Sequence, residues 1–253
     1  MPRLPIAFLI LLCAGLVHAG DTRKSGFDFM SASTQAMQRD DSQNPAMLWV
    51  GGGEALWQRK AGRSNQSCSG CHGDAKVSMR GVAAGYPAFD AHTRTAIDLG
   101  QRINTCRVRH QQAEPLAPES EELLGIEAYV ALQSRGMPLA PPSDARLEPA
   151  LTRGARLFAQ RIGQLNLSCA QCHDANWGRR LGASTIPQAH APAYPVYRLE
   201  WQGMGSLQRR LRNCMSGVRA EVPAFNAREL VDLEVYLAAR AKGMNMEAPG
   251  VRP

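Results

Sequence analysis

One five-residue pattern, Cys-x-x-Cys-His, occurs twice in this chain, at Cys68-Ser69-Gly70-Cys71-His72 and at Cys169-Ala170-Gln171-Cys172-His173. The likeness extends beyond the pattern. Gly53-Glu54-Ala55-Leu56-Trp57 stands before the first copy and Gly154-Ala155-Arg156-Leu157-Phe158 before the second, at a constant offset of 101 residues. Further on, Tyr86-Pro87 matches Tyr194-Pro195, and Arg102-Ile103-Asn104-Thr105-Cys106 matches Arg210-Leu211-Arg212-Asn213-Cys214. Glu127-Ala128-Tyr129-Val130 then matches Glu234-Val235-Tyr236-Leu237, with Gly136-Met137 and Gly243-Met244 behind them. A period of about 100 residues is too long for a solenoid repeat and fits a duplicated domain.

This repeat divides the 253 residues. Pro138-Leu139-Ala140-Pro141-Pro142-Ser143 breaks any helix and reads as a linker. The expected units are therefore 45–142 and 143–253, preceded by an N-terminal helical arm over 20–44. The apolar pattern is helical. Leu123, Leu124, Ile126, Tyr129 and Val130 fall on one stripe, and Leu230, Val231, Leu233, Val235, Tyr236 and Leu237 repeat it. Short amphipathic openings are expected at 54–59 and 154–162. No segment alternates long enough to argue for a sheet. The expected fold is all-α, two tandem units of one kind.

The first nineteen residues read as a secretory signal peptide. Arg3 supplies positive charge, Ile6 to Leu12 form an apolar run, and Val17-His18-Ala19 gives a small-x-small-like end before Gly20. The run is too short to span a bilayer, and no later segment is apolar enough for a membrane span. Export to the periplasm is the expectation, and it matters for the thiols. Of seven cysteines, Cys13 would leave with the signal and six would meet an oxidising compartment. The net charge of +7 suits an anionic substrate or an acidic redox partner. The arginines are scattered without an aromatic-basic stripe, so nothing points to nucleic acid.

Two thiols spaced as in Cys-x-x-Cys-His can form thioethers to the two vinyl groups of a haem, and the following histidine then lies under the iron. A redox dithiol needs no trailing histidine, and a zinc site would need further paired ligands nearby. Two copies in an exported helical chain therefore predict two covalently bound haem c groups. Cys68 and Cys71 hold the first and Cys169 and Cys172 the second, with His72 and His173 as proximal ligands. The ligand on the far side of each iron is less constrained. Met137 and Met244 are candidates, but both follow the last helix of a unit and read better as packing residues. Cys106 and Cys214 occupy equivalent positions, 34 and 41 residues after their histidines. They could be inert buried thiols, one disulfide between units, or thiolate ligands of iron. The duplication favours the last, since each unit then places its cysteine over its own haem. A thiolate stabilises ferric iron and lowers its potential, which points away from simple electron shuttling.

At these residues the chain resembles the SoxA family, the cytochrome subunit of the thiosulfate-oxidising SoxAX complex. The resemblance covers about residues 45–247. It rests on the two Cys-x-x-Cys-His motifs and on Arg210-Leu211-Arg212-Asn213-Cys214-Met215. It implies a heterodimer with a small monohaem cytochrome, SoxX, and oxidative joining of thiosulfate to a cysteine of the carrier SoxYZ. Two electrons would pass to a small cytochrome c. It also implies that Cys214 is both an iron ligand and the catalytic residue, often found as a persulfide. The arginine four residues before it, Arg210, would bind substrate. Some members have lost the first haem; Cys68, Cys71, His72 and Cys106 are all present here, as in the dihaem form.

The residue chemistry is compatible with that transfer. Thiosulfate is a dianion, and Arg209, Arg210, Arg212 and Arg219 surround Cys214 in sequence, with Arg210 and Arg212 the expected substrate contacts. Cationic neighbours also make a thiol a better nucleophile. Arg102, Arg107 and Arg109 lie near Cys106, so arginine alone does not single out the second unit. The competing readings are a plain dihaem electron carrier with methionine ligation, and a dihaem peroxidase. A cysteine over each haem argues against the peroxidase.

Overall fold

The structure, a computed structural model, describes residues 21–253; the expected signal peptide, residues 1–19, lies outside the described residues. After an arm carrying α1 (Ala32–Arg39), the first unit runs α2 (Ala46–Gln58), α3 (Cys68–His72) and α4 (Ala75–Ser78). A hairpin of β1 (Ala88–Asp90) and β2 (Thr95–Ile97) follows, then α5 (Leu99–Cys106) and α6 (Glu121–Leu132). The second unit then runs α7 (Glu148–Ala159), α8 (Cys169–His173) and two short strands, β3 (Arg180–Leu181) and β4 (Ser184–Thr185). It continues with the hairpin of β5 (Val196–Arg198) and β6 (Gly203–Gly205), then α9 (Leu207–Gly217), α10 (Arg228–Arg240) and β7 (Gly250–Arg252).

The fold is mainly helical, but the all-α expectation needs correction. Three small antiparallel or mixed sheets are present among the described residues: β1–β2, β3–β4, and the three-stranded β6–β5–β7. Their strands are two or three residues long, too short to show the period-two alternation that betrays a strand in sequence. The β3–β4 hairpin occupies the seven-residue insertion that moves the offset from 101 at the haem motifs to 108 at Tyr86 and Tyr194. Helices α2 and α7 also begin earlier than the amphipathic pattern indicated. Gly51-Gly52-Gly53 hides most of α2, and Pro149 sits in the first turn of α7, where it lacks no intrahelical bond.

Each unit is built on one close helix crossing, α2 with α6 and α7 with α10. Trp57 packs edge-on to Tyr129, ring centroids 6.0 Å apart, and Phe158 packs on Tyr236 at 5.3 Å. Burying such rings dominates a small core, each aromatic removing some 150–250 Å² from water. Ser120 caps α6 through a bond from the Leu123 N–H, as its position before the apolar stripe predicts.

Residues 21–44 clamp the opposite end of the chain. Gln38 Oε1 accepts from the Val251 N–H at 2.9 Å, Asn44 Nδ2 donates to the Pro249 carbonyl at 3.2 Å, and the Arg23 guanidinium donates to the Arg240 and Lys242 carbonyls. The expected linker is likewise tied down. The Leu139 N–H donates to the Met244 carbonyl at 2.8 Å, and the Gly243 N–H returns the bond to Leu139. Met137 lies over Gly81, and Met244 packs on the first unit's core, the packing roles read from sequence.

A cavity of about 130 Å³ lies between the units, with Tyr86 and Tyr194 in its walls beside the carboxyls of Asp98, Glu127 and Glu234. Gln208 Nε2 bridges Asp98 at 2.7 Å and Glu234 at 3.2 Å. Burial, reinforced by neighbouring carboxylates, pushes Glu127 and Glu234 well above the usual carboxylate range, and burial raises Asp98. The folded protein therefore holds protons here at pH values where the unfolded chain has lost them. Stability must fall as pH rises from the ordinary carboxylate range through the folded pKa values. Glu234→Gln supplies a neutral group of the same shape. It should raise stability at pH 8 by about 1 kcal/mol and leave it near wild type at pH 4.5. Urea unfolding at both pH values measures this; an equal change at both would show that no proton is held at Glu234.

Candidate haem-binding thiol site

Both Cys-x-x-Cys-His motifs form short helices with the same start. Ser67 caps α3 by accepting from the Gly70 N–H, and Ser168 caps α8 by accepting from the Gln171 N–H. One turn then places both thiols and the histidine on neighbouring faces. The lone cysteines come from the later helices. Cys106 ends α5, which continues as a π turn over Arg107–Gln111, and Cys214 lies in the last turn and a half of α9. Loop-to-helix bonds fix these ends against the motif loops. Gln111 Nε2 donates to the Gln66 carbonyl at 3.0 Å, and the Gln164 N–H donates to the Arg219 carbonyl at 3.2 Å.

The chain thus brings each lone thiol to its own motif. Burial raises the Cys106 thiol, Arg102 opposes it, and the Cys71 thiol adds to it. Burial pushes Cys169 up to about 11, with Cys214 the next contributor. Each lone sulfur is therefore within electrostatic range of a thiol of its own unit. All six described cysteines are free, so Cys106 and Cys214 form no disulfide with each other. Of the three readings left open by sequence, the bridge between units is not the one built.

The residues suit a c-type haem. His173 Nδ1 lies 2.7 Å from the Pro187 carbonyl, a bond that fixes the tautomer and leaves Nε2 free to ligate iron. Burial lowers the His173 pKa, which keeps the ring in the neutral form a metal needs. In the first unit the Trp57 ring lies 5.7 Å from that of His72, while its Nε1 donates to the Gly73 carbonyl at 3.0 Å. His72 and Cys71 are exposed, whereas His173 and Cys172 are half-buried.

Around Cys214 the four sequence-predicted arginines separate. Arg210, one helical turn before Cys214 in α9, is half-buried and within electrostatic range of the thiol. Burial works against its charge, but Cys214, Tyr194 and Glu200 hold its pKa up. Arg209 donates to the Met204 carbonyl at 3.2 Å and stacks 4.2 Å over Trp201. Arg212, an expected substrate contact, bonds the Pro223 carbonyl and stacks 4.2 Å over Phe225. Arg219 is exposed, with a left-handed backbone at φ 58°. Two residues that the sequence reading did not assign to the site join it. Tyr194 lies within range of Arg210, Arg198 and Cys214, and Arg198 comes from the end of β5. The signal for them was the repeat itself, since Tyr194 is the counterpart of Tyr86.

Comparison with known proteins places this architecture. The family model "SoxA/TsdA, cytochrome c domain" matches residues 52–139 and 153–246. The L-cysteine S-thiosulfotransferase subunit SoxA of Pseudaminobacter salicylatoxidans is 37% identical over 236 residues, 93% of this chain and 82% of that one. The subunit of the same name from Paracoccus pantotrophus is 33% identical over 239 residues, 94% of this chain and 82% of that one. The crystal structure of SoxXA from P. pantotrophus superposes with a TM-score of 0.87 at 32% identity, covering 91% of this chain and 87% of that one. With both motif-bearing halves matched and such identity sustained over nine-tenths of its length, the chain belongs to the SoxA family of SoxA/TsdA-type cytochromes c.

Proposed function

We propose that this chain is the SoxA subunit of a periplasmic L-cysteine S-thiosulfotransferase, made of two duplicated cytochrome c-like units, 45–142 and 143–253. It carries two haem c groups. Cys68 and Cys71 hold the first and Cys169 and Cys172 the second, with His72 and Cys106, and His173 and Cys214, as the respective iron ligands. The haems supply one-electron redox capacity. The observation that carries the reading is the placement of Arg210 one helical turn before Cys214 in α9, within the motif-bearing second unit. The parallel order of elements, down to equivalent hairpins opening at Ala88↔Ile97 and Val196↔Gly205, supports the duplication.

The chemistry is assigned to the chain's own groups. Arg210 binds the sulfonate end of thiosulfate and turns its terminal sulfur toward Cys214. An S–S bond forms between that sulfur and the Cys214 sulfur, and the two electrons released are taken up by two equivalents of an oxidised small cytochrome c. The thiolate of the carrier cysteine, on a SoxYZ-like protein, then attacks the thiosulfate-derived sulfur bonded to Cys214. That bond breaks, Cys214 leaves as thiolate, and the carrier holds an S–S–SO₃⁻ group. A monohaem SoxX-like cytochrome completes the heterodimer. Arg212 is turned to the Pro223 carbonyl and the Phe225 ring, so Arg210 is the primary substrate contact.

Mixing the purified heterodimer with carrier, thiosulfate and oxidised cytochrome c should yield a carrier heavier by one thiosulfate, with two cytochromes reduced per conjugate. Cytochrome reduction without carrier modification, or none at all with thiosulfate, overturns the proposal. The plain-carrier alternative predicts no thiosulfate-dependent reduction.

A further inference from the structure

The two hairpins superpose in register, and one position carries opposite charge. Asp90 ends β1 opposite Thr95, and Arg198 ends β5 opposite Gly203. Tyr86 and Tyr194, Arg102 and Arg210, and Cys106 and Cys214 stand at the same offset of 108, so Asp90 and Arg198 are one position of the repeat. In the first unit the acid quenches the arginine. Asp90, its side chain only 5% exposed, accepts from Arg102 at 3.0 Å, and Arg102 Nε lies 3.3 Å from the Tyr86 hydroxyl. In the second unit that acid is gone. Arg210 makes no side-chain hydrogen bond or ion pair among the described residues, and beside it stands a second guanidinium.

Arg198 is poorly satisfied for a buried cation. Its side chain is 11% exposed, and its Nε is buried without a hydrogen-bond partner. Its Nη2 bonds Glu200 at 3.0 Å, but Glu200 is 61% exposed and screened by water. Its guanidinium carbon lies 5.1 Å from the Trp201 ring. Arg252, the other cation in range of Tyr194, is paired with Glu247 at 2.6 Å. Two neighbouring guanidinium groups with one outward carboxylate between them leave net positive charge out of water. That arrangement is costly unless an anion completes it.

Resting on the functional reading above, we propose that Arg198 is a second binding residue for the dianionic substrate, and that the Asp90-to-Arg198 exchange between the units decides which half accepts it. A sulfonate oxygen can bond Arg210 while another takes the free Nε of Arg198, fixing the orientation of the sulfane sulfur toward Cys214. In the first unit Arg102 is already paired with Asp90, so the equivalent position offers no second guanidinium.

The test uses the intact heterodimer and four variants. Arg198→Gln should raise the KM for thiosulfate about tenfold while kcat stays within about threefold, the pattern of lost uniform binding. Arg198→Asp, which rebuilds the first unit's locked pair, should raise KM further, and Arg198→Lys should keep most of the affinity. Asp90→Asn should leave KM unchanged. Sulfate, a non-reacting dianion, provides the independent readout. Calorimetry should show saturable sulfate binding to the wild type that is lost in Arg198→Gln, with the haem spectra of all variants intact. Unchanged KM and unchanged sulfate binding in Arg198→Gln and Arg198→Asp overturn the assignment. If the wild type binds sulfate through Arg198 yet fails to couple thiosulfate, the functional reading falls and the anion site stands.

Discussion

Cys214→Ala should lose thiosulfate coupling by at least about a thousandfold in kcat, while both haems stay attached, since the thioether thiols proposed above are Cys68, Cys71, Cys169 and Cys172. The expected loss is this large because the cysteine has two roles. On the proposed reading it forms the covalent bond to thiosulfate, and it would also ligate the second iron. Its removal should also shift the oxidised spectrum of the second haem, whereas Cys106→Ala should shift the first haem's spectrum and leave coupling within about threefold. The asymmetry follows from local charge. Arg102, the first-unit counterpart of Arg210, is held by Asp90 at 3.0 Å, whereas Arg210 makes no side-chain hydrogen bond or ion pair among the described residues. Stopped-flow cytochrome reduction, carrier mass and electron paramagnetic resonance read these effects separately. Sustained coupling by Cys214→Ala, or its loss in Cys106→Ala with an intact second haem, would move the active thiol to the other unit or off both.

Much of this was legible in the sequence. Covalent haem attachment needs a fixed spacing of thiols and histidine, so Cys68-x-x-Cys71-His72 and its copy declare themselves whatever surrounds them. The repeat also located Cys106 and Cys214, because chemistry at equivalent positions survives loop insertions. Local patterns failed where tertiary contact overrides them. Helix α2 contains three consecutive glycines, which propensity reads as a break, yet the helix forms because its packing face is needed. The hairpins were invisible, since three-residue strands carry no periodicity. The arm's bond from Gln38 to Val251 spans almost the whole chain, and nothing local encodes it. The arginines near Cys214 in sequence were treated as one cluster, whereas in α9 Arg210 stands one turn before Cys214 and Arg212 turns to Phe225. The most informative difference, Asp90 against Arg198, lay in the repeat but fell between the landmarks used to align it.

The glycine run in α2 makes a prediction in which neighbouring substitutions have opposite signs. A Cβ on Gly53 would sit 2.0 Å from the Gly125 carbonyl oxygen and 2.9 Å from Tyr129 Cβ, so the two helix backbones would have to separate. The obstacle is a main chain within a helix and cannot rotate aside. Gly53→Ala should cost about 3 kcal/mol through overpacking at this crossing. That corresponds to a fall in Tm of roughly 6–12 °C for a chain of this size. Gly154, its counterpart, meets the Asp232 carbonyl oxygen at the same 2.0 Å, and Gly154→Ala should be similarly damaging. That crossing also carries the paired bonds from Arg153 to Asp232 at 2.7 and 2.8 Å, which separation of the helices would stretch. Gly52 has open space around its Cβ position, and an alanine there only removes conformational freedom from the unfolded chain. Gly52→Ala should therefore stabilise by about 0.5–1 kcal/mol. Thermal unfolding of the haem-loaded variants, followed at 222 nm, distinguishes the pair. Equal shifts for Gly52→Ala and Gly53→Ala would mean that helix propensity, and not the approach of α2 to α6, governs this segment. In that event the close crossing could not be what positions the first motif against Cys106.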